Sequence, residues 1–159
     1  MFFKQEKQHR LPRPYYIGQV RVSITVCIQA RRSAFVHPDI VDRFTEILSW
    51  ARTKNDCVVL LYCFMPDHFH VIFQGESDYA DIYQAMLDFK QKTGFYLRHC
   101  GYRWQKDFYD RIIRSDRELA EQLHYIAFPV RKELVNHWSQ YPFTGALGID
   151  LHNVMDAML

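Results

Sequence analysis

A strand-like segment that carries two histidines constrains the fold more than any other part of the sequence. Residues 57–64 form a continuous apolar run, and a second apolar run over residues 68–74 begins His68-Phe69-His70. The three residues between the runs include Pro66 and form a short break. A continuous apolar run of this length is typical of a strand that is covered on both faces. The sequence therefore predicts an antiparallel hairpin at the centre of a sheet.

The spacing of the two histidines predicts a shared face. Side chains two residues apart point to the same side of a strand, so His68 and His70 would project together. The opposite side would carry Phe69, Val71 and Phe73. Two imidazoles on one face can offer two nitrogen ligands to a metal ion. An isolated pair of this kind more often lies on a solvated face, but a position at the centre of the sheet favours the metal site.

Periodicity and helix-start signals predict the remaining elements. Alternating apolar and polar residues indicate a half-buried strand over residues 20–29. Helical spacing indicates helices over residues 37–54 and 78–99, and a capping box at Ser115 and Glu118 begins a third. The order strand, helix, strand, strand, helix, helix predicts an α+β domain with helices packed on an antiparallel sheet.

Length and composition predict one domain. The 159 residues can bury a sizeable core, with a basic arm over about residues 1–18 and a C-terminal packing segment over about residues 130–159. No apolar run reaches the roughly 18 residues of a membrane span, and no signal-peptide pattern is present. Three of the four cysteines lie in apolar runs and are predicted to be buried thiols. We therefore expect a cytoplasmic protein with no membrane partner.

The charge distribution leaves the type of partner open. The net charge is only +2, which does not by itself indicate nucleic acid. Aromatic residues make up 16% of the chain, and aromatic faces can stack on unpaired bases. Two basic stretches could line a groove or form a scattered solvated surface. They comprise Arg10, Arg13, Arg21, Arg31 and Arg32, and later Lys90, Lys92, Arg98, Arg103 and Lys106.

The third predicted helix offers a candidate nucleophile. Leu119, Leu123 and Ile126 share one stripe of this helix, and Tyr125 lies well away from it, so Tyr125 need not be part of the core. A metal ion can polarise a phosphate while a tyrosine hydroxyl attacks the phosphorus. An ordinary buried or interface tyrosine is the alternative interpretation.

The order of motifs resembles that of the HUH single-tyrosine transposases, and most closely the group associated with repetitive extragenic palindromes (REP). The resemblance extends from about Tyr15 to Gly148. Several motifs in one order are more specific than a histidine pair alone. The matching segments are Met65-Pro66-Asp67-His68-Phe69-His70, Trp104-Gln105, residues 108–114, Tyr125-Ile126, Pro129-Val130-Arg131, Leu134-Val135, Trp138 and Tyr141-Pro142-Phe143.

The resemblance implies a fold, a chemistry and a substrate. The fold would be the ferredoxin-like HUH domain, with Mg²⁺ or Mn²⁺ held by His68 and His70. Tyr125 would attack single-stranded DNA and form a 5′-phosphotyrosine intermediate, next to a hairpin with a flanking guide sequence. The protein would act as an endonuclease and strand transferase in DNA transposition, as a monomer or homodimer. We add three candidate phosphate contacts, Lys90, Lys92 and Arg114.

One segment departs from the family pattern Tyr-Ile-x-x-Asn-Pro-Val-Arg. The run from Tyr125 to Arg131 is one residue shorter, and no asparagine precedes Pro129. A gap placed after Tyr125 keeps the tyrosine, whereas an ungapped alignment puts His124 in its place and Phe128 in place of the asparagine. We prefer the gap, because Tyr125-Ile126 matches as a pair.

The missing asparagine keeps other interpretations open. His124, Glu121 or Gln122 could replace it as a ligand. The main alternative function is a domesticated, catalytically weak protein that binds DNA hairpins. A metal-dependent hydrolase of small phosphoesters has little support beyond the histidine pair.

Overall fold

An antiparallel sheet organises the fold. The computed structural model describes residues 11–127 and 141–158, and within these ranges the sheet has five strands in the order β4-β1-β3-β2-β5. Every neighbouring pair is antiparallel. The strands are β1 (Arg21–Cys27), β2 (Cys57–Met65), β3 (His68–Gly75), β4 (Tyr109–Ile113) and β5 (Thr144–Leu147). The strand that carries the two histidines is therefore central, as predicted.

Helices cover both faces of the sheet. They are α1 (Pro38–Lys54), α2 (Ile82–His99), α3 (Asp116–Ala127) and α4 (Leu151–Met158). On one face, Phe44 of α1 and Phe89 of α2 join Phe69 and Phe73 of β3 in one apolar cluster. A second cluster on the other face contains residues of α3 and α4. The predicted α+β class and the packing of helices on an antiparallel sheet are confirmed.

The prediction of a half-buried β1 is wrong, because the strand is buried on both faces. Ser23 and Thr25, on its polar face, are only 7% and 9% exposed. Ser23 lies opposite Ile72 of β3, which belongs to the apolar cluster of α3 and α4. The second helical layer thus covers a face that the sequence pattern indicated to be solvated.

Several element boundaries differ from the predictions. Helix α2 begins at Ile82 rather than near residue 78, because the side chain of Asp81 caps it by accepting from the backbone N–H of Gln84. The C-terminal packing segment contains a strand and a helix, β5 and α4, that periodicity did not reveal. Within residues 11–127 and 141–158, no helix has both the length and the apolar character needed to cross a membrane.

A buried carboxylate joins α1 to α2. Asp88 is 8% exposed and accepts hydrogen bonds from the side-chain amides of Asn55 and Gln84 at 3.0 and 2.9 Å, with Lys54 Nζ at 3.4 Å. Burial alone would raise the pKa of Asp88, but the two amide donors and Lys54 lower it below its ordinary value. The ionised carboxylate is thus an internal polar contact between the two helices.

The predicted thiols are buried. Cys27, Cys57 and Cys63 are free cysteines with little exposed surface. Burial raises the pKa of the Cys57 thiol to about 12. A thiol with so high a pKa carries almost no thiolate at neutral pH and is therefore a poor nucleophile.

Candidate active site

The two histidines of β3 meet on one face of the sheet. Their Nε2 atoms are 3.0 Å apart and their rings are nearly perpendicular, at 87°. The face is the one predicted from the spacing, with Phe69, Val71 and Phe73 on the other side. The pair is not solvated, however, because His68 is 8% exposed and His70 only 1%. The interpretation of a solvated strand face is therefore excluded.

The outer nitrogen of each ring has a defined partner. His68 Nδ1 lies 2.6 Å from a carboxylate oxygen of Asp67, and His70 Nδ1 lies 2.8 Å from the hydroxyl of Thr25. Thr25 pairs with His70 in the register of β1 and β3, and Cys27 pairs with His68. These contacts fix the orientation of both rings, so that the two Nε2 atoms converge.

Burial keeps both imidazoles neutral. It lowers the pKa of His70 to about 3, and it lowers the pKa of His68 even though Asp67 acts in the opposite direction. Burial would raise the pKa of Asp67, but hydrogen bonds from His68 and from Arg31, whose Nε is 2.8 Å away, lower it. The site at neutral pH thus contains two neutral rings and an ionised carboxylate. A neutral imidazole is the form that binds metal ions.

The donor atoms fit a divalent cation. Two ligands at neighbouring corners of an octahedron, each about 2.1 Å from the ion, are separated by about 3.0 Å, which is the separation of the two Nε2 atoms. A metal-binding histidine usually donates its other N–H to a carboxylate, as the contact with Asp67 allows. Among the described residues, no group of three or more His, Cys, Asp and Glu side chains could hold a metal ion. Mg²⁺ commonly takes only one or two protein ligands and completes its shell with water and substrate phosphate.

Helix α3 packs on the same face as the histidines. Leu119, Leu123 and Ile126 form the predicted buried stripe, at 2%, 0% and 1% exposure. They share an apolar cluster with Ile72, which lies two residues after His70 on the same side of β3. The helix therefore covers the sheet next to the histidine pair.

The predicted capping box fixes the start of this helix. The backbone N–H of Glu118 donates to Ser115 Oγ at 3.1 Å, and the Glu118 carboxylate accepts from the backbone N–H of Arg114 at 2.8 Å. The bond to Ser115 satisfies one N–H of the first helical turn that the helix itself leaves without a partner. The return bond of Glu118 reaches Arg114, one residue before the cap residue of a standard capping box.

Tyr125 lies at the flank of α3. It is 38% exposed, as expected from its position off the buried stripe, and burial of part of the ring raises the pKa of its hydroxyl. The hydroxyl is therefore protonated at neutral pH and would need help to act as a nucleophile. His124 is also exposed. The rest of the shortened run, from Phe128 to Arg131, lies outside the described residues.

The structure does not bring the two candidate lysines to the histidines. Both lie on α2, on the opposite face of the sheet. Lys90 Nζ donates to the backbone carbonyls of Gln105 and Lys106, at 3.2 and 2.9 Å. Lys92 Nζ stands 4.1 Å from the ring centre of Trp50. Contacts of these lysines with DNA remain a prediction.

Arg114, unlike the two lysines, lies next to α3, the helix that carries Tyr125. It stands between β4 and α3 and lines a depression of about 250 Å³. The other residues that line this depression are Leu11, Asp110, Arg111, Ile112 and Glu118. A role of Arg114 in phosphate binding also remains a prediction.

The fold joins parts of the two basic stretches beside the histidines. The backbone N–H of Gln29 donates to the carbonyl of Arg103, and that of Gln105 donates to the carbonyl of Cys27. The segment that carries Arg31 and Arg32 therefore runs next to the segment of Arg103 and Lys106. The backbone N–H of Ile28 also donates to the carbonyl of Asp67, which places this basic region beside the turn that precedes His68. These basic residues are therefore clustered in one exposed region of the surface.

Sequence reasoning missed three residues of the site, namely Thr25, Arg31 and Asp67. The available signals for Asp67 were its position directly before His68 and its place in the matching segment Met65-Pro66-Asp67-His68-Phe69-His70. Thr25 appeared as one of several polar residues on an alternating strand, and Arg31 as one of many basic residues. Their contacts depend on strand register and loop packing, which no local pattern reveals.

Comparison with known proteins adds a family match to this geometry. Residues 17–127 match the model of the family described as Transposase IS200 like. A curated Haemophilus influenzae protein with the provisional name REP-associated tyrosine transposase is 25% identical over 134 residues, which is 76% of this chain and 76% of that protein.

Two solved structures have the same fold. The first, described as the REP-associated tyrosine transposase bound to a REP hairpin, has a TM-score of 0.71 and 21% identity, and the match covers 87% of this chain and 81% of that one. The second, a Deinococcus radiodurans R1 protein provisionally named a transposase, has a TM-score of 0.50 and 17% identity, with coverages of 76% and 95%. At these identities the similarity concerns the fold.

Proposed function

Because the chain belongs to the family described as Transposase IS200 like, we propose that it cleaves and rejoins single-stranded DNA next to a hairpin, with Tyr125 as the nucleophile and a divalent cation at His68 and His70. The resemblance to REP-associated tyrosine transposases and the ferredoxin-like fold that it implied are confirmed. One observation carries the mechanistic part of the proposal. The Nε2 atoms of the histidines converge to 3.0 Å on the sheet face that α3 covers.

The residues have distinct roles in this proposal. His68 and His70 would hold Mg²⁺ or Mn²⁺ through Nε2. The bound ion would supply Lewis-acid polarisation of the scissile phosphate. The phenol oxygen of Tyr125 would form a bond to phosphorus while the bond from phosphorus to the 3′ oxygen breaks, and the phenol proton would pass through solvent to that 3′ oxygen. The resulting 5′-phosphotyrosine retains the energy of the phosphodiester for rejoining.

Hairpin DNA is the partner that we propose. The solved structure with the higher TM-score is described as bound to a REP hairpin. In this chain, the exposed basic residues Arg32, Arg103 and Lys106 would follow the DNA backbone beside the histidines. Basic grooves that track phosphates are the usual means of binding single strands.

The test is a covalent trapping assay. The full-length protein is incubated with end-labelled single-stranded hairpin DNA and Mn²⁺, and the products are separated on a denaturing gel. We expect a protein–DNA adduct with wild type and no adduct with Tyr125→Phe, which should still bind the hairpin. Tyr79→Phe is the matched control, since Tyr79 is 91% exposed, and it should form the adduct normally.

Two outcomes would contradict the assignment. Adduct formation by Tyr125→Phe would place the nucleophile elsewhere and would favour a different alignment of the shortened run. Adduct formation by His68→Ala with the same dependence on Mn²⁺ as wild type would separate the histidines from the ion.

A second candidate function is hairpin binding without cleavage. The chain lacks the asparagine before Pro129, and the described residues offer only two histidine ligands for a cation. Hairpin affinity that does not depend on metal, with no adduct from any hairpin tested, would support this candidate instead.

A further inference from the structure

A chain of four polar groups runs through the buried site. Thr25 Oγ1 lies 2.8 Å from His70 Nδ1, the two Nε2 atoms are 3.0 Å apart, and His68 Nδ1 lies 2.6 Å from Asp67. A neutral imidazole carries one N–H and one lone pair. The chemistry at the two ends of the chain therefore determines which nitrogen of each ring carries the hydrogen.

The Asp67 end sets the tautomer of His68. An ionised carboxylate can only accept a hydrogen bond, so His68 Nδ1 must carry the hydrogen. Its Nε2 then presents a lone pair. Arg31 holds the carboxylate in this arrangement, with its Nε 2.8 Å from the other oxygen of Asp67. His68 is thus already in the form that binds a cation through Nε2.

The tautomer of His70 follows from that of His68. Two lone pairs 3.0 Å apart would repel each other, so in the absence of a cation His70 Nε2 carries the hydrogen and donates it to His68 Nε2. His70 Nδ1 then accepts from the hydroxyl of Thr25. In this form His70 has no lone pair at Nε2 and cannot be a ligand there.

We propose that cation binding at this pair requires His70 to change tautomer, and that Thr25 permits the change. The hydrogen leaves Nε2 and a hydrogen arrives at Nδ1, so the ring stays neutral and releases no net proton. The Thr25 hydroxyl turns from donor to acceptor, a change that is open to a hydroxyl but not to a carboxylate. Thr25 is in this view a positioning residue that acts through His70. The inference rests on the cation site of the proposed function.

The first measurement needs no DNA and no catalysis. Nitrogen-15 NMR of the full-length protein distinguishes the two tautomers of each histidine. In metal-free protein we expect His68 as the Nδ1–H tautomer and His70 as the Nε2–H tautomer. Addition of Mg²⁺, which is diamagnetic, should convert His70 to the Nδ1–H tautomer and leave His68 unchanged.

The second measurement is the affinity for Mn²⁺ by titration calorimetry. Thr25→Val keeps the shape and removes the hydroxyl that orients the His70 ring and would accept from its Nδ1–H in the cation-bound form, so it should weaken Mn²⁺ binding by about 10- to 100-fold. Thr25→Ser retains a hydroxyl and should bind nearly as wild type does. Ser23→Ala is the matched control, since Ser23 is 7% exposed on the same strand face but lies opposite Ile72, and it should leave affinity unchanged. Circular dichroism establishes that each variant is folded.

The inference is overturned if His70 is already the Nδ1–H tautomer in metal-free protein, or if folded Thr25→Val binds Mn²⁺ as tightly as wild type. A protein that shows the tautomer change but forms no DNA adduct would retain this inference and refute the proposed cleavage. If wild type binds neither Mn²⁺ nor Mg²⁺, both this inference and the proposed metal-assisted cleavage are overturned.

Discussion

Truncation of Leu123 tests how α3 is held on the sheet. Leu123 is 0% exposed at the centre of the stripe that joins this helix to the sheet. Leu123→Ala removes three carbon groups, and at about 0.8 kcal/mol each their transfer contributes about 2.4 kcal/mol. The remaining cavity adds to this cost, and buried Leu→Ala changes cost about 2–5 kcal/mol in all. We expect a loss of about 3 kcal/mol in the free energy of unfolding.

Urea unfolding followed by circular dichroism measures this loss. The transition should move to lower urea concentration with an unchanged slope, because the surface exposed on unfolding stays nearly the same. Arg117→Ala is the control on the same helix. The Arg117 side chain is 89% exposed and its ion pair with Glu121 is 3.4 Å long, so the change should be below about 0.5 kcal/mol. A loss below about 1 kcal/mol for Leu123→Ala would refute the idea that this stripe anchors α3.

Three other predictions concern stability and binding. Asp88→Asn should lower the free energy of unfolding at pH 7, because the lowered pKa of Asp88 means that its ionised carboxylate stabilises the fold. In urea unfolding, the difference from wild type should shrink below about pH 4, where the carboxylate begins to be protonated in the unfolded chain. A difference that does not depend on pH would contradict this. Ser115→Ala should cost about 1 kcal/mol in the same assay, and Ser115→Asp should largely retain the cap. The affinity for hairpin DNA should fall steeply as the salt concentration rises, and it should exceed the affinity for random duplex DNA. Lys92→Ala should weaken binding to all DNA sequences alike. Equal affinities for hairpin and duplex DNA would argue against hairpin recognition.

Local patterns predicted much of the fold. The hairpin of β2 and β3, the bounds of α1 and the buried stripe of α3 all follow from hydrophobic periodicity, since side-chain direction within one element depends only on its own backbone. The short strand β5 escaped prediction because its four residues, Thr144–Leu147, include a glycine and an alanine and show no apolar alternation. It exists because it pairs with the edge of β2.

By itself, the sequence determined that His68 and His70 share a face, because residues two apart in a strand always do. Only the tertiary structure decided what that face contains. Thr25 reaches His70 because β1 pairs with β3 in one register, and a slip by one residue would place Ile24 or Val26 opposite His70 instead. The burial that keeps both rings neutral likewise comes from layers of the fold distant in sequence. Pairing and burial are relations between segments, so no pattern within one segment specifies them.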